Sequence, residues 1–277
     1  MTSVTSVPDI VLNNGVKIPQ LGFGVFQVDD AQTTDAVLAA LDAGYRSIDT
    51  AAVYGNEEGV GRAIAASGVP RDELFVTTKL WNDRQGYDSA LAAFDTSLAK
   101  LGLDRVDLYL IHWPAPTRDR YLDSWRALEK LLADGRTRAI GVSNFQPAHL
   151  QRLLDETGVA PVLNQIELHP GLQQAELRDF HAQHDIATEA WSPLAKGELL
   201  QVEAITEIAG RHEKSPAQVM LRWHIQLGNI VIPKSVTPAR IRENIDVFDF
   251  ELSSGDMAAI ATLDRGLRTG PNPDTFN

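Results

Sequence analysis

Residues 44–64 read GYRSIDTAAVYGNEEGVGRAI, and the period of the pattern changes inside this stretch. Tyr45, Ser47 and Asp49 alternate with Arg46 and Ile48, as side chains do on the two faces of a strand. A turn follows over Thr50 to Tyr54, and from Glu57 onward the apolar residues take helical spacing. The stretch is therefore a β-to-α transition. It places an acid, Asp49, at the strand end and a phenol, Tyr54, just past it.

The same transition recurs along the chain. Strands are predicted at residues 20–24, 46–49, 74–79, 106–112, 139–143, 162–166, 186–191 and 230–233. Helices are predicted at 31–43, 57–67, 87–101, 121–133, 147–156 and 172–184, as a pair at 202–212 and 216–226, and at 238–244 and 254–263. Strands joined by crossover helices pair in parallel with right-handed connections. Eight such units predict closure into a (β/α)8 TIM barrel, with extra helices after strand seven and at the C-terminus. Ahead of the barrel, residues 9–12 and 16–18 flank Asn13-Asn14-Gly15 and predict a β-hairpin covering one end of the sheet. No linker or shift of composition divides residues 1–277, so one domain is expected. The open doubly wound alternative calls for a Gly-x-Gly-x-x-Gly turn after an early strand. Gly22-Phe23-Gly24 lacks the third glycine.

Composition narrows the function. The chain has 277 residues and a formal net charge of −12, which argues against nucleic-acid and anionic-membrane partners. With no cysteine, thiolate catalysis and disulfides are excluded, and a reducing, cytoplasmic setting fits. The opening MTSVTSVPD has neither a basic segment nor an apolar run, so no secretory signal is expected there. No apolar stretch approaches the roughly 20 residues that span a bilayer. The 7 histidines are spread out, with no His-x-x-x-His on a predicted helix, so neither Glu167 with His169 nor any other group is read as a metal site. Glu57-Glu58 reads as a helix N-terminal charge pair.

Parallel barrels gather their reactive groups at the carboxyl ends of the strands. Here those ends carry Asp49 and Tyr54, Lys79, His112, Ser143-Asn144, Gln165, Trp191-Ser192 and Lys234-Ser235. Singly, each of the first four has an ordinary reading as a turn acid, a rim aromatic, a strand-end charge or a core histidine. Together they suit proton delivery to a carbonyl. A tyrosine has a pKa near 10, and an adjacent cation such as Lys79 lowers it. Asp49 is the natural counter-ion for a lysine in a strand. His112 can orient a carbonyl oxygen, and a nicotinamide hydride is the matching nucleophile. A Schiff-base aldolase using Lys79 and a non-catalytic, cofactor-binding regulatory subunit are the other readings.

Six ordered motifs carry a resemblance over nearly the whole length: GYRSIDTA through YGNE at 44–57, TTKLW at 77–81, DLYLIHWP at 107–114, IGVSNF at 140–145, NQIELHP at 164–170 and IPKSV at 232–236. The sequence resembles the aldo-keto reductase family, most closely its bacterial 2,5-diketo-gluconate reductase-like members. The resemblance implies an NADPH-dependent carbonyl reductase, monomeric, with a catalytic tetrad of Asp49, Tyr54, Lys79 and His112 in which Tyr54 is the general acid. It implies that Ser143, Asn144 and Gln165 hold the nicotinamide carboxamide. Trp191 stands where the family stacks a tyrosine on the ring, and Ser192 and Leu194 follow in the same loop. It assigns Lys234, Ser235 and Arg240 to the 2′-phosphate, with Val236, Glu243 and Asn244 beside them and Asn244 on the adenine. Phe26, Trp81 and Trp113 lie in the loops after strands one, three and four and are candidate substrate walls. The polar tail from residue 265 is expected to cover the mouth only in part. A shallow, aromatic-walled pocket suits small aldehydes, dicarbonyls or keto-sugar acids better than steroids.

Overall fold

A computed structural model describes residues 7–277. The stretch read for a secretory signal lies largely outside the described residues, since residues 1–6 are not among them. Strands β1 (Asp9–Val11) and β2 (Lys17–Pro19) pair antiparallel as the expected hairpin. The barrel strands are β3 (Phe23–Gly24), β4 (Ser47–Asp49), β5 (Phe75–Leu80), β6 (Val106–Ile111), β7 (Thr137–Ser143), β8 (Leu163–Glu167), β9 (Ala187–Trp191) and β10 (Ile230–Val231). They form one eight-stranded sheet in chain order, every pair parallel. Closure comes from the first and last strands: Gly22 N donates to Val231 O at 2.8 Å, Val231 N to Gln20 O at 2.9 Å and Gly24 N to Pro233 O at 3.1 Å.

Helices α1 (Asp30–Asp42), α2 (Glu57–Ala66), α3 (Tyr87–Leu101), α4 (Tyr121–Ala133), α5 (Pro147–Glu156) and α6 (Ala175–Gln183) follow successive strands. After β9 come two helices, α7 (Glu203–His212) and α8 (Pro216–Gln226), and after β10 come α9 (Pro238–Ile245) and α10 (Ser254–Ala261). The TIM barrel, the hairpin and the extra helices are as the sequence predicts. Several boundaries shift by up to three residues: β3 begins at Phe23 against a predicted 20, β10 ends at Val231 against 233, and α6 begins at Ala175 against 172. Leu172 is held in backbone hydrogen bonds with His169, and Gln174 has a φ of 45°, so the chain reverses before the helix starts.

Strand alternation divides the core. Outward residues such as Ile48, Val76, Tyr109 and Ile166 join the large cluster under the helices. Inward residues Phe75, Leu108, Leu110 and Leu163 form a smaller apolar layer with Ile230, sealed by Leu12 and Ile18 from the hairpin region. Above that layer the inward positions turn polar. Asp49, Lys79, Gln165 and Glu189 fill the barrel one level nearer the strand ends, each at most 3% exposed. The hairpin thus keeps water from the closed end, and the polar layer opens only toward the loops.

Helix α2 packs against the end of α3 through Gly61, where an added Cβ would strike the Leu101 carbonyl. Gly210 in α7 faces open space. Gly210→Ala should therefore stabilise by about 0.5–1 kcal/mol through helix propensity. Gly61→Ala should lose about 1–3 kcal/mol despite the same propensity gain. Urea unfolding of the two variants checks the opposite signs.

Candidate active site

The turn that carries Tyr54 is built by its neighbours. Asn56, fully buried, donates from Nδ2 to Val25 O and Val28 O, both at 2.9 Å, and accepts from Thr50 Oγ1 at 2.8 Å. Gly55 takes a φ of 69°, which ends the short 3-10 turn Ala52–Tyr54. Glu57 accepts from Thr78 Oγ1 at 2.6 Å and is buried. It is therefore a tie between α2 and β5, more than the solvated N-terminal charge that its position suggests.

Those ties bring Tyr54 to the polar layer. Lys79 Nζ donates to Asp49 Oδ1 at 2.6 Å, to Thr50 O at 2.9 Å and to Tyr54 Oη at 3.4 Å. The lysine side chain is fully buried and that of Asp49 is 4% exposed. Burial pulls the Lys79 ammonium toward neutrality, but Asp49 and Tyr54 more than reverse this, and its pKa lies above the ordinary value. An amine held charged in this way does not suit Schiff-base attack, which counts against the aldolase reading.

For Tyr54 the outcome differs from the sequence expectation. Burial raises the phenol pKa, Lys79 opposes this, and Asp49 adds to the rise. The net result lies above the ordinary tyrosine value, because burial is the largest effect and Asp49, in short contact with Lys79, offsets part of the ammonium charge. Burial and the Lys79 charge hold the His112 imidazole well below its usual pKa, so it is neutral. Its ring stands edge-on to Tyr54 and to Trp81, with centroids at 5.7 and 5.2 Å, and its Nδ1 is buried without a hydrogen-bond partner.

Beside this group, the next three strand ends are tied together. Ser143 Oγ donates to Gln165 O at 2.7 Å. Asn144 Nδ2 donates to His112 O and Ser143 Oγ, each at 3.0 Å, and its Oδ1 accepts from Trp191 Nε1 at 2.8 Å. Asn144 and Ser192 have φ of 63° and 49°, strained values for residues with a Cβ, directly after β7 and β9. Gln165 Nε2 donates to Asp49 Oδ2 at 2.8 Å and to Glu189 Oε2 at 2.9 Å. Lys234, Val236 and Arg240 are exposed, Ser235 and Asn244 are buried, and Glu243 is half-buried. Lys234, Ser235, Val236 and Arg240 lie around the start of α9 and Glu243 and Asn244 in its last turn, and neither Lys234 nor Arg240 forms an ion pair among the described residues.

Phe26 packs on Tyr54 with centroids 5.0 Å apart. Phe276, from the C-terminal tail, lies 4.6 Å from Trp113 and 6.1 Å from Trp81. The tail is more firmly seated than its polarity suggests. Buried Glu167 accepts from Thr269 Oγ1 at 2.6 Å, from Gly270 N at 3.2 Å and from His169 Nε2 at 3.3 Å. Burial raises the Glu167 carboxyl pKa, but these bonds outweigh it and hold the group below its usual range. Leu194 is half-buried, and two residues on Lys196 Nζ donates to Thr269 O at 2.7 Å. A cavity of about 370 Å³ lies beside this rim between α2 and α3, lined by Val53, Glu57, Trp81 and Arg84 without Tyr54 or His112.

Sequence reasoning missed Glu189, Phe276 and the anchoring role of Glu167. Glu189 was readable as an acid two residues before Trp191, on the same inward face of β9. Phe276 is the sole aromatic residue after 265.

Residues 20–265 match the model of the Aldo/keto reductase family. The chain is 56% identical over 272 residues to Glyoxal reductase of Bacillus subtilis, covering 98% of each. It is 56% identical over 275 residues to Methylglyoxal reductase DkgA of Yersinia pestis, covering 99% of each. A crystal structure of a Gox0644 mutant in complex with NADPH superposes with a TM-score of 0.95 at 49% identity, covering 99% of this chain and 100% of that one.

Burial raises the Glu189 carboxyl pKa to about 8 from an ordinary 4.5, with the Asp49 charge adding to the rise. The folded chain then keeps a proton that the unfolded chain loses, so raising the pH between those values favours unfolding. In urea unfolding, Glu189→Gln should gain stability relative to the natural chain as pH rises from about 5 to about 8. Parallel pH curves would contradict a protonated Glu189.

Proposed function

The chain belongs to the aldo/keto reductase family, and we propose that its substrates are small aldehydes and dicarbonyls, including glyoxal and methylglyoxal, together with keto-sugar acids. It is an NADPH-dependent carbonyl reductase. The observation that carries the site reading is the contact chain from Tyr54 through Lys79 to Asp49 beside a neutral His112.

When bound, NADPH supplies the hydride taken up by the carbonyl carbon. Tyr54 gives its phenolic proton to the oxygen as negative charge develops there. Its raised pKa keeps that proton in place at neutral pH. Lys79, 3.4 Å from the phenol oxygen, stabilises the phenolate left behind, and Asp49 holds the ammonium in position. His112 offers an N–H to the carbonyl oxygen without adding a charge. Trp81, Trp113 and Phe276 wall the mouth and favour a small substrate.

The donor set fits the cofactor. Gln165 Oε1 takes part in no hydrogen bond among the described residues, and Asn144 Oδ1 keeps a lone pair, so both suit the amide hydrogens of a carboxamide. Ser143 braces Asn144, and Trp191, held by its indole N–H, offers a flat face for the ring. Ser192 and Leu194 continue that loop. Lys234, Ser235 and Arg240 with the start of α9 suit a 2′-phosphate, and Val236, Glu243 and Asn244 flank them. A monomer acting in the cytoplasm without a nucleic-acid partner completes the reading, in keeping with the net charge of −12. Among the described residues no helix is long and apolar enough to cross a membrane.

The test is cofactor consumption with methylglyoxal, glyoxal, aromatic aldehydes, diketo-sugar acids and a steroid ketone. Small dicarbonyls should be reduced most efficiently, and NADPH should be preferred over NADH. Arg240→Ala should raise the NADPH Michaelis constant about tenfold, the size of one charge-assisted contact, and leave NADH unchanged. Equal use of both cofactors, with no effect of Arg240→Ala, would contradict the phosphate assignment. Preference for the steroid would contradict the substrate class.

A further inference from the structure

Gln165 and Glu189 stand directly opposite each other in the register of β8 and β9, and both side chains point into the barrel. The Gln165 amide nitrogen lies between two carboxyl groups, 2.8 Å from Asp49 Oδ2 and 2.9 Å from Glu189 Oε2. An amide nitrogen has two hydrogens, and here both are taken. The reverse orientation would set the amide oxygen against the Asp49 carboxylate, which has no hydrogen to give. With Asp49 alone, one hydrogen would be uncommitted and the amide could turn about a single bond. Neither Gln165 nor Glu189 is more than 2% exposed, so water does not readily replace the missing partner.

We infer that Glu189 is a positioning residue: by taking the second hydrogen of Gln165 Nε2 it fixes that amide, so that Oε1 is the atom offered to a nicotinamide carboxamide. The inference rests on the cofactor reading above and adds a residue to it. Glu189 acts through Gln165 and needs no charge for this, because a protonated carboxyl keeps an acceptor oxygen. Neutrality also spares the layer a second negative charge near Asp49, whose one ion pair among the described residues is with Lys79. Glutamine at 189 would present the same acceptor, whereas methionine would fill the space without one.

The experiment measures binding of two ligands by calorimetry to the natural chain, Glu189→Met and Glu189→Gln. The ligands are NADPH and adenosine 2′,5′-bisphosphate, which carries the phosphate end and lacks the nicotinamide. Glu189→Met should weaken NADPH about five- to tenfold, the size of one lost buried hydrogen bond, and leave the bisphosphate within about twofold. Glu189→Gln should match the natural chain for both. Unchanged NADPH affinity in Glu189→Met, equal weakening of both ligands, or Glu189→Gln as weak as Glu189→Met would overturn the inference. Bisphosphate affinity reports on folding, and Glu189→Ala, read in the same way, replaces Glu189→Met if that variant does not fold. If the natural chain binds the bisphosphate but gains nothing from the nicotinamide half, the cofactor reading fails and takes this inference with it.

Discussion

A lysine ammonium with no solvent exposure is held at 2.6 Å from a carboxylate in the middle of a barrel. Removing two such charges from water costs several kcal/mol each, and the cost is recovered only when geometry and further hydrogen bonds are right. Lys79 meets that condition with three partners, Asp49, Thr50 O and Tyr54 Oη. Asp49 meets it by accepting from Gln165 as well. The surrounding elements serve this arrangement. The hairpin seals the apolar layer below, Asn56 pins the turn that delivers Tyr54, and burial raises the Glu189 carboxyl pKa, which favours its neutral form in this layer.

The consequence for Tyr54 is a balance, not a strong acidification. Lys79 favours the phenolate, while burial and Asp49 favour the phenol, and the phenol prevails. A proton donor is needed in its protonated form, and its conjugate base needs stabilising only once charge has moved. A cation 3.4 Å away, already committed to a shorter contact, meets both needs. His112 complements it, because a neutral imidazole beside a fixed ammonium can donate a hydrogen bond without adding repulsion.

Much of this was legible in the sequence, because the strand-end rule picks out residues by position. Asp49, Lys79 and His112 follow from where the apolar alternation stops, and the barrel follows from eight repeats of one period change. What escaped the reading depends on contacts distant in sequence. Glu189 is buried against Gln165, which joins it to Asp49, 24 and 140 positions away by residue number, and an acid in a five-residue strand carries no local sign of that. Glu167 is not read as a metal ligand, but nothing local shows that it bonds Thr269 and Gly270 in the tail as well as nearby His169. Lys79 does lower the Tyr54 pKa as read, but the net direction is a difference between opposing effects, and sequence shows the neighbours without their burial or distances.

The most direct test is Tyr54→Phe, which keeps the ring and removes the one proton the mechanism spends. NADPH affinity should remain within about twofold, while turnover of methylglyoxal should fall at least about a hundredfold, the lower range of a general-acid contribution. Turnover that is undiminished with the cofactor still bound would show that the proton reaches the carbonyl oxygen by another route.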